Sequence, residues 1–152
     1  MDRAGVPRFD RGRAGERSNR DILAVPTVRP HKELRVYKLA FPAAMEIFEL
    51  SKSFPSEERY SLTDQIRRSS RSVCANIAEA WRKRRYRGSF IQRLSDSYTE
   101  AGETQTWLSF SLACGYIDKE VADDLTERYD HILAMLVKMM TNPEPWLLLP
   151  KE

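Results

Sequence analysis

Residues 62–84, LTDQIRRSSRSVCANIAEAWRKR, contain the pattern that decides the fold. Apolar and small residues recur here every three or four positions, which is the spacing of one face of an α-helix. The members of this stripe are Leu62, Ile66, Ser69, Val73, Ile77 and Ala80. The spacing predicts a helix from Leu62 to about Arg85. Its small side chains let a neighbouring helix approach closely.

Three further segments have the same helical spacing. They run from about Val36 to Ser53, from Ser89 to about Cys114, and from Lys119 to about Thr141. Pro42 lies inside the first and removes a backbone donor there. We therefore expect a kink at Pro42, the alternative being a helix that starts near it.

Residues typical of helix ends lie where these segments begin and stop. Ser61 precedes the central helix with Asp64 three residues later, which is the spacing of a capping box. Gly115 is suited to end the third helix because its backbone takes a positive φ readily. Asp118 is suited to cap the start of the fourth.

The order of these segments predicts an all-α protein. Long helices joined by short loops form an antiparallel up-down-up-down four-helix bundle, which we place over residues 34–141. Residues 1–33 contain six arginines before position 21 and three prolines, so we interpret them as a disordered basic arm. Residues 142–152 form a tail, whose Trp146–Leu149 segment we expect to dock on the bundle.

Composition excludes several classes of protein. The longest stretch without a charged residue, 104–117, has fourteen residues, whereas a membrane-spanning helix needs about 20 apolar residues. The first residues, MDRAGVPRFDRGRAGER, lack the apolar region of a secretory signal. The two cysteines, Cys74 and Cys114, are too few for a disulfide framework. We expect both to be buried, reduced thiols in a cytoplasmic protein.

Charge is unevenly distributed along the chain. Residues 57–93 hold 10 basic and 4 acidic groups, a net charge of +6. Residues 94–130 hold 2 basic and 9 acidic groups, a net charge of −7. Such a chain can bind a polyanion through its basic part, or bind a second copy of itself, basic face to acidic face.

Signals for catalysis or metal binding are weak. The chain has no P-loop, GxGxxG or HExxH motif, and its histidines are His31 and His131. Glu127 and His131 are four residues apart, unlike the Glu-x-x-His pairs of di-iron bundles. We expect no enzyme activity, no metal and no cofactor. The carboxylates of Asp96, Glu100 and Glu103 on the third helix suit acid–base chemistry, a solvated face, or pairing with arginines of the second helix.

A basic set on and after the second helix is the best functional signal. It has Trp81 and Tyr86 between its members, and it consists of Arg67, Arg68, Arg71, Arg82, Lys83, Arg84, Arg85 and Arg87. Arginine forks suit phosphate, and aromatic rings stack on unpaired bases. These residues therefore predict a nucleic-acid-binding face. A solvated face that closes subunit interfaces by ion pairs is the competing interpretation.

The central stretch also resembles a known family through residues that form the pattern L-x-x-Q-I-R-R followed by S-V-x-x-N-I-A-E. These residues are Leu62, Gln65, Ile66, Arg67, Arg68, Ser72, Val73, Asn76, Ile77, Ala78 and Glu79. The pattern is similar to that of the four helix bundle protein family, also called the ribosomal RNA intervening-sequence protein family. The resemblance covers roughly residues 34–141. Cys74 and Ala80 depart from it, since the family usually has Pro and Gly at these positions.

The resemblance implies an assembly and a set of partners. It implies a bundle that forms a ring, a homopentamer, without catalytic residues. It also implies kinship with the accessory variability protein of diversity-generating retroelements, a basic pentamer that binds nucleic acid and a reverse transcriptase.

Four residues of the pattern have structural roles by our interpretation: Gln65, Ser72, Asn76 and Glu79. Asn76 lies near the apolar stripe, where a buried amide must be hydrogen-bonded, and we expect it to fix the helix register. We expect Glu79 to pair with Lys83 or to lie at an interface.

The sequence leaves two functions open. The first is a homo-oligomeric bundle that binds RNA or DNA through the basic helix face, as an accessory to a reverse transcriptase. The second is a structural or adaptor ring, whose arginines lie in subunit interfaces and whose partner is a protein.

Overall fold

Four α-helices make up the fold, and the computed structural model describes residues 30–148. We number the helices α1 (Arg35–Ser51), α2 (Leu62–Arg82), α3 (Arg87–Ala113) and α4 (Lys119–Thr141). Short 3-10 turns lie at His31–Glu33, Ser56–Glu58 and Glu144–Trp146. No β-strand is present between residues 30 and 148. The predicted all-α class is confirmed. Of the arm predicted to be disordered, residues 1–33, the first 29 lie outside the described residues, whereas His31–Glu33 form a 3-10 turn.

The helices pack in chain order and close into a bundle. α1 contacts α2, α2 contacts α3, α3 contacts α4, and α4 returns to α1. This is the predicted antiparallel up-down-up-down arrangement. None of the described helices combines the length and apolar character needed to cross a membrane.

The predicted stripes supply the core. All six stripe residues of α2 are buried, as are Ile47 of α1, Leu94 of α3 and Ile132 of α4. On α3, Ser97 is buried whereas the neighbouring Tyr98 is exposed. Each fully buried aliphatic side chain contributes about 1.5–3 kcal/mol relative to exposure, so these stripes are the main source of stability.

Small polar residues join α2 to α3, as predicted from the stripe of α2. The Ser97 hydroxyl donates to the Val73 carbonyl at 2.9 Å. The hydroxyls of Thr104 and Ser69 lie 2.9 Å apart inside the same interface. Because these residues are small and buried, α2 and α3 contact each other more extensively than any other pair of described helices.

α1 begins at Arg35, close to the expected start at Val36, and is continuous through Pro42, so the alternative start near Pro42 is wrong. The end of α2 differs from expectation. α2 ends at Arg82, three residues earlier than predicted, because the chain turns at Lys83. The residues that follow therefore lie in a turn and do not share the helix's face.

The cap of α2 also differs from the prediction. Ser61 is the N-cap residue, but its hydroxyl makes no capping bond to the backbone. It donates to Glu58 Oε2 at 2.7 Å, and the backbone N–H of Leu62 donates to the same oxygen at 3.0 Å. The carboxylate of Glu58 replaces the predicted capping box with Asp64. These two hydrogen bonds lower the pKa of Glu58.

The other predicted helix ends are confirmed. Gly115 has φ 76°, and the Asp118 side chain accepts a hydrogen bond from the backbone N–H of Val121 at 3.0 Å. Trp146 and Leu147 pack against the core, and the N–H of Leu148 donates to the Arg84 carbonyl at 3.1 Å. The described part of the tail is therefore docked, as predicted.

The two cysteines differ in exposure. Cys74 is buried, as predicted, and burial raises its pKa to about 11. Cys114 follows α3 and is exposed, so the prediction of two buried thiols is wrong for it. The reason is that Cys114 lies at the turn marked by Gly115, beyond the packed part of α3.

Candidate nucleic-acid interface

A basic groove lies between the end of α1 and the first half of α2. It has a volume of about 890 Å³ and is closed at one side by the loop between these helices. Its basic residues are Lys52, Arg59, Arg67, Arg68 and Arg71, and its acidic one is Asp64. A concave surface lined mainly by one sign of charge concentrates ions of the opposite sign.

The ring of Phe48 supports the arginines of this groove. The guanidinium carbons of Arg67 and Arg71 lie 4.9 and 5.5 Å from the ring centre. Arg67 Nε also donates to Ser51 Oγ at 2.7 Å. Arg71 is exposed and makes no ion pair with any described residue. Both guanidinium groups are therefore held in place without being neutralised by a carboxylate.

Arg68 has a different environment, although it borders the same groove. Its Nη2 atom lies 2.9 Å from Glu103 Oε1, and Nη1 lies 3.8 Å from Glu100 Oε1. Nη2 also donates to Gln65 Oε1 at 3.1 Å. The acidic residues of α3 thus pair with an arginine of α2 within one chain, which was one of the three interpretations left open.

Glu100, in this acidic cluster, has a raised pKa. Burial is the main cause, and the neighbouring charge of Glu103 adds to the increase. The Oε2 atom of Glu100 is buried without a hydrogen-bond partner among the described residues. A half-buried carboxyl of this kind disfavours its own charged form.

The basic residues at the end of α2 and in the following turn have different environments. Arg82, Lys83 and Arg85 are exposed. Arg84 is 7% exposed, its guanidinium stacks on the Trp81 ring at 3.6 Å, and its Nε donates to the Trp81 carbonyl at 2.8 Å. Arg87 is paired with Glu144 of the tail. Arg84 therefore lies apart from the exposed basic face that the sequence predicted.

The exposed cations form two groups along α2. Arg71 and Arg82 are eleven residues apart on one helix, which corresponds to about 16 Å along its axis. Arg85 was predicted to share a helix face with Arg67 and Arg71, but it lies past the end of α2. The groove contains one group, and the turn after α2 presents the other.

The structure also places the four residues of the family pattern. Asn76 is half-buried, and its Nδ2 donates to the Ser72 carbonyl at 3.0 Å and to Ser72 Oγ at 3.1 Å. Both hydrogen bonds lie within α2. They therefore do not fix the register between helices, and the expected role of Asn76 is wrong. Glu79 pairs with Arg93 of α3 at 3.2 Å and not with Lys83.

Sequence reasoning missed two basic residues of the groove, Lys52 and Arg59, and the ring that supports its arginines, Phe48. Phe48 and Lys52 belong to the end of α1, whose polar face was not analysed as part of a site. Arg59 lies in the loop before α2. The excess of positive charge over residues 57–93 includes Arg59, and this was the signal that could have identified it.

The described residues contain no group of three or more His, Cys, Asp or Glu side chains that could hold a metal ion. His131 is exposed on α4, whereas Cys74 is buried. The site is therefore built from cations and aromatic rings, which is chemistry suited to binding an anion.

Comparisons with known proteins place the chain in a family. Residues 32–138 match the family described as 23S rRNA-intervening sequence protein. A similar solved structure is a protein of unknown function from the S23 ribosomal protein family of Bacteroides thetaiotaomicron VPI-5482. It is 29% identical, has a TM-score of 0.64, and the match covers 70% of this chain and 96% of that chain. No curated protein matches the chain. Because the family match extends over more than half of the sequence, the chain belongs to the 23S rRNA-intervening sequence protein family.

Proposed function

We propose that this protein is a non-enzymatic nucleic-acid-binding bundle, which holds the phosphate backbone of RNA or DNA in the basic groove between α1 and α2. The observation that carries the proposal is the state of the groove's arginines. Arg67 and Arg71 rest on Phe48 without a carboxylate partner among the described residues. Membership of a family described by an rRNA intervening sequence supports the same proposal.

The chemistry of the groove favours phosphate over bases. Guanidinium groups match phosphate oxygens in a bidentate manner, and a pre-positioned guanidinium loses less side-chain entropy on binding. The described residues that line the groove include no Asn or Gln side chain to read base edges. Binding should therefore depend weakly on sequence and strongly on salt concentration.

The test is a salt series measured by fluorescence anisotropy, with a structured RNA and a DNA duplex as probes. The groove variant is Arg59→Ala with Arg71→Ala, because both side chains are exposed and unpaired among the described residues. A matched control is Arg35→Ala with Lys138→Ala, which removes the same charge at exposed positions outside the groove. Circular dichroism shows whether each variant remains folded.

We expect a log–log slope of affinity against salt of roughly −3 to −6 for the unaltered protein. The groove variant should weaken binding about tenfold and reduce the size of the slope by about two, since each phosphate contact contributes about 0.9. The control should change affinity much less. Equal losses in both variants, or no binding at low salt, would refute the proposal.

A second candidate, the adaptor ring, is favoured by an exposed apolar surface on α1. Phe41 is 50% exposed and Met45 is 45% exposed, and both lie in a depression shared with Tyr37 and Arg71. Apolar surfaces of this kind are common where subunits or protein partners meet. In this candidate the chain forms a homo-oligomer, the resemblance implying a pentamer, and its partner is a protein such as a reverse transcriptase.

Sedimentation velocity separates the two candidates. Phe41→Lys with Met45→Lys should dissociate an oligomer that closes through α1, whereas Arg59→Ala, which changes the groove but not this depression, should not. If Arg59→Ala itself dissociates the assembly, the groove is a subunit interface and the nucleic-acid proposal fails.

A further inference from the structure

A second basic pocket lies at the other end of α2, outside the groove. It has a volume of about 570 Å³ and is formed by three separate parts of the chain. The turn before α1 supplies His31 and Lys32, the end of α2 and the following turn supply the arginines, and the tail supplies Leu148. Its described lining contains Arg82, Arg84 and Arg85 but no Asp or Glu.

The floor of this pocket is fixed. Arg84 is buried against Trp81, with the guanidinium 3.6 Å from the ring centre and Nε donating to the Trp81 carbonyl. The N–H of Leu148 donates to the Arg84 carbonyl, which attaches the tail to the same turn. A site whose walls are already positioned loses little entropy when a ligand enters it.

Three cations around the pocket have no carboxylate partner in the part of the chain that the structure describes. Lys32, Arg82 and Arg85 are exposed and make no ion pair with the described residues. The carboxyl end of a helix carries a partial charge of about −0.5, which one cation balances. Arg84 is a further cation in this pocket. The positive charge of the pocket is therefore larger than the negative partial charge of the helix end. Burial, then the charges of Lys32 and Arg82, lower the pKa of His31, which agrees with a positive potential in the pocket.

We propose that this pocket binds the terminal phosphate monoester of a nucleic-acid strand, an inference that rests on the proposed function of the groove. A monoester carries about −1.5 to −2 charges at pH 7, whereas an internal phosphodiester carries one. Several unpaired cations in one concave site therefore favour the monoester. The separation of Arg71 and Arg82, about 16 Å, corresponds to roughly five nucleotides of a stacked strand at 3.4 Å each. A strand held in the groove can thus place its end in the pocket.

The test is a competition experiment with the full chain. Unlabelled RNA oligonucleotides of one sequence, with a 5′-phosphate, a 3′-phosphate or hydroxyl ends only, compete against a labelled RNA. We expect one phosphorylated form to compete about tenfold better than the hydroxyl form. The reason is that its terminal phosphate adds charge-assisted hydrogen bonds to the arginines of the pocket. Arg82→Ala with Arg85→Ala should reduce this ratio to about one.

The groove variant is the matched control. Arg59→Ala with Arg71→Ala should weaken all three oligonucleotides equally and leave the ratio unchanged. A ratio of one in the unaltered protein overturns the terminal-phosphate inference while the groove proposal stands. Failure of every oligonucleotide to bind overturns the groove proposal, and the inference with it.

Nuclear magnetic resonance of the histidine rings tests the pocket directly. Inorganic phosphate at constant ionic strength should move the His31 signals and raise the His31 pKa, because a bound anion favours the charged imidazole. His131 on α4 is the internal control and should not respond. An unchanged His31, or the same response in Arg82→Ala with Arg85→Ala, would overturn the pocket as an anion site.

Discussion

Replacing Tyr129 by Phe should make this protein more stable, although buried tyrosines usually lose stability on this change. Tyr129 lies on α4 in the middle of the bundle and is 0% exposed. Its hydroxyl has no hydrogen-bond partner among the described residues. Burial raises the pKa of Tyr129, because a phenolate would be still less favourable there.

The magnitude follows from the cost of the unpaired hydroxyl. Burying a polar group without a hydrogen bond costs about 1–3 kcal/mol, whereas the ring itself makes the same contacts in phenylalanine. We therefore expect Tyr129→Phe to raise the free energy of unfolding by about 1 kcal/mol. For a domain of this size, that change corresponds to an increase in Tm of about 4 °C.

A second tyrosine provides a matched control for the same substitution. The hydroxyl of Tyr116 donates to Glu58 Oε1 at 3.3 Å, which links the turn after α3 to the start of α2. Tyr116→Phe should therefore lower the free energy of unfolding. Urea titrations of both variants, followed by circular dichroism at neutral pH, measure the two changes.

The opposite signs of the two effects make the reasoning refutable. If Tyr129→Phe destabilises the protein as much as Tyr116→Phe does, the hydroxyl of Tyr129 has a partner, such as a buried water molecule. The assignment of an unpaired group in the core would then be wrong.

Three further predictions follow from exposure and pKa. Cys114 is exposed whereas Cys74 is buried with a pKa of about 11, so a thiol reagent at pH 8 should modify one cysteine rapidly, and none rapidly in Cys114→Ser. Burial raises the pKa of Glu100, so the carboxylate costs stability as pH rises through that pKa. Glu100→Gln should thus raise the free energy of unfolding in urea at pH 7, but not below pH 4. Hydrogen bonds lower the pKa of Glu58, so its stabilisation exists above the unfolded pKa and is lost as pH falls. Urea titrations should show that Glu58→Gln destabilises at pH 7 but hardly at pH 3.

The helical core could be predicted from the sequence because burial and spacing are directly related. A residue on the apolar stripe of a long helix faces the interior wherever the helix packs. The six stripe residues of α2 are all buried for this reason. Four stripes of this kind, with loops too short for crossing connections, leave few arrangements besides the observed bundle.

The partners of individual charged residues could not be predicted in the same way. Arg68 and Glu103 are 35 residues apart and meet only because α2 and α3 pack closely. Arg84 is buried because the chain turns after Arg82 and places its guanidinium on the Trp81 ring. The cap at Glu58 depends likewise on a 3-10 turn that has no strong signal in the sequence.

Some arginines of this chain form ion pairs with carboxylates and others pack on an aromatic ring. This difference decides where a polyanion can bind. Those that pair with carboxylates, such as Arg68 and Arg93, have exchanged hydration for an ion pair within the chain. Releasing them would leave a carboxylate unpaired, so they gain little from phosphate. Arg67 and Arg71 rest on an aromatic ring, whose contact leaves the hydrogen-bonding edge of the guanidinium available. A count of basic residues therefore overstates the binding surface, and the unpaired arginines along α2 are the ones that define it.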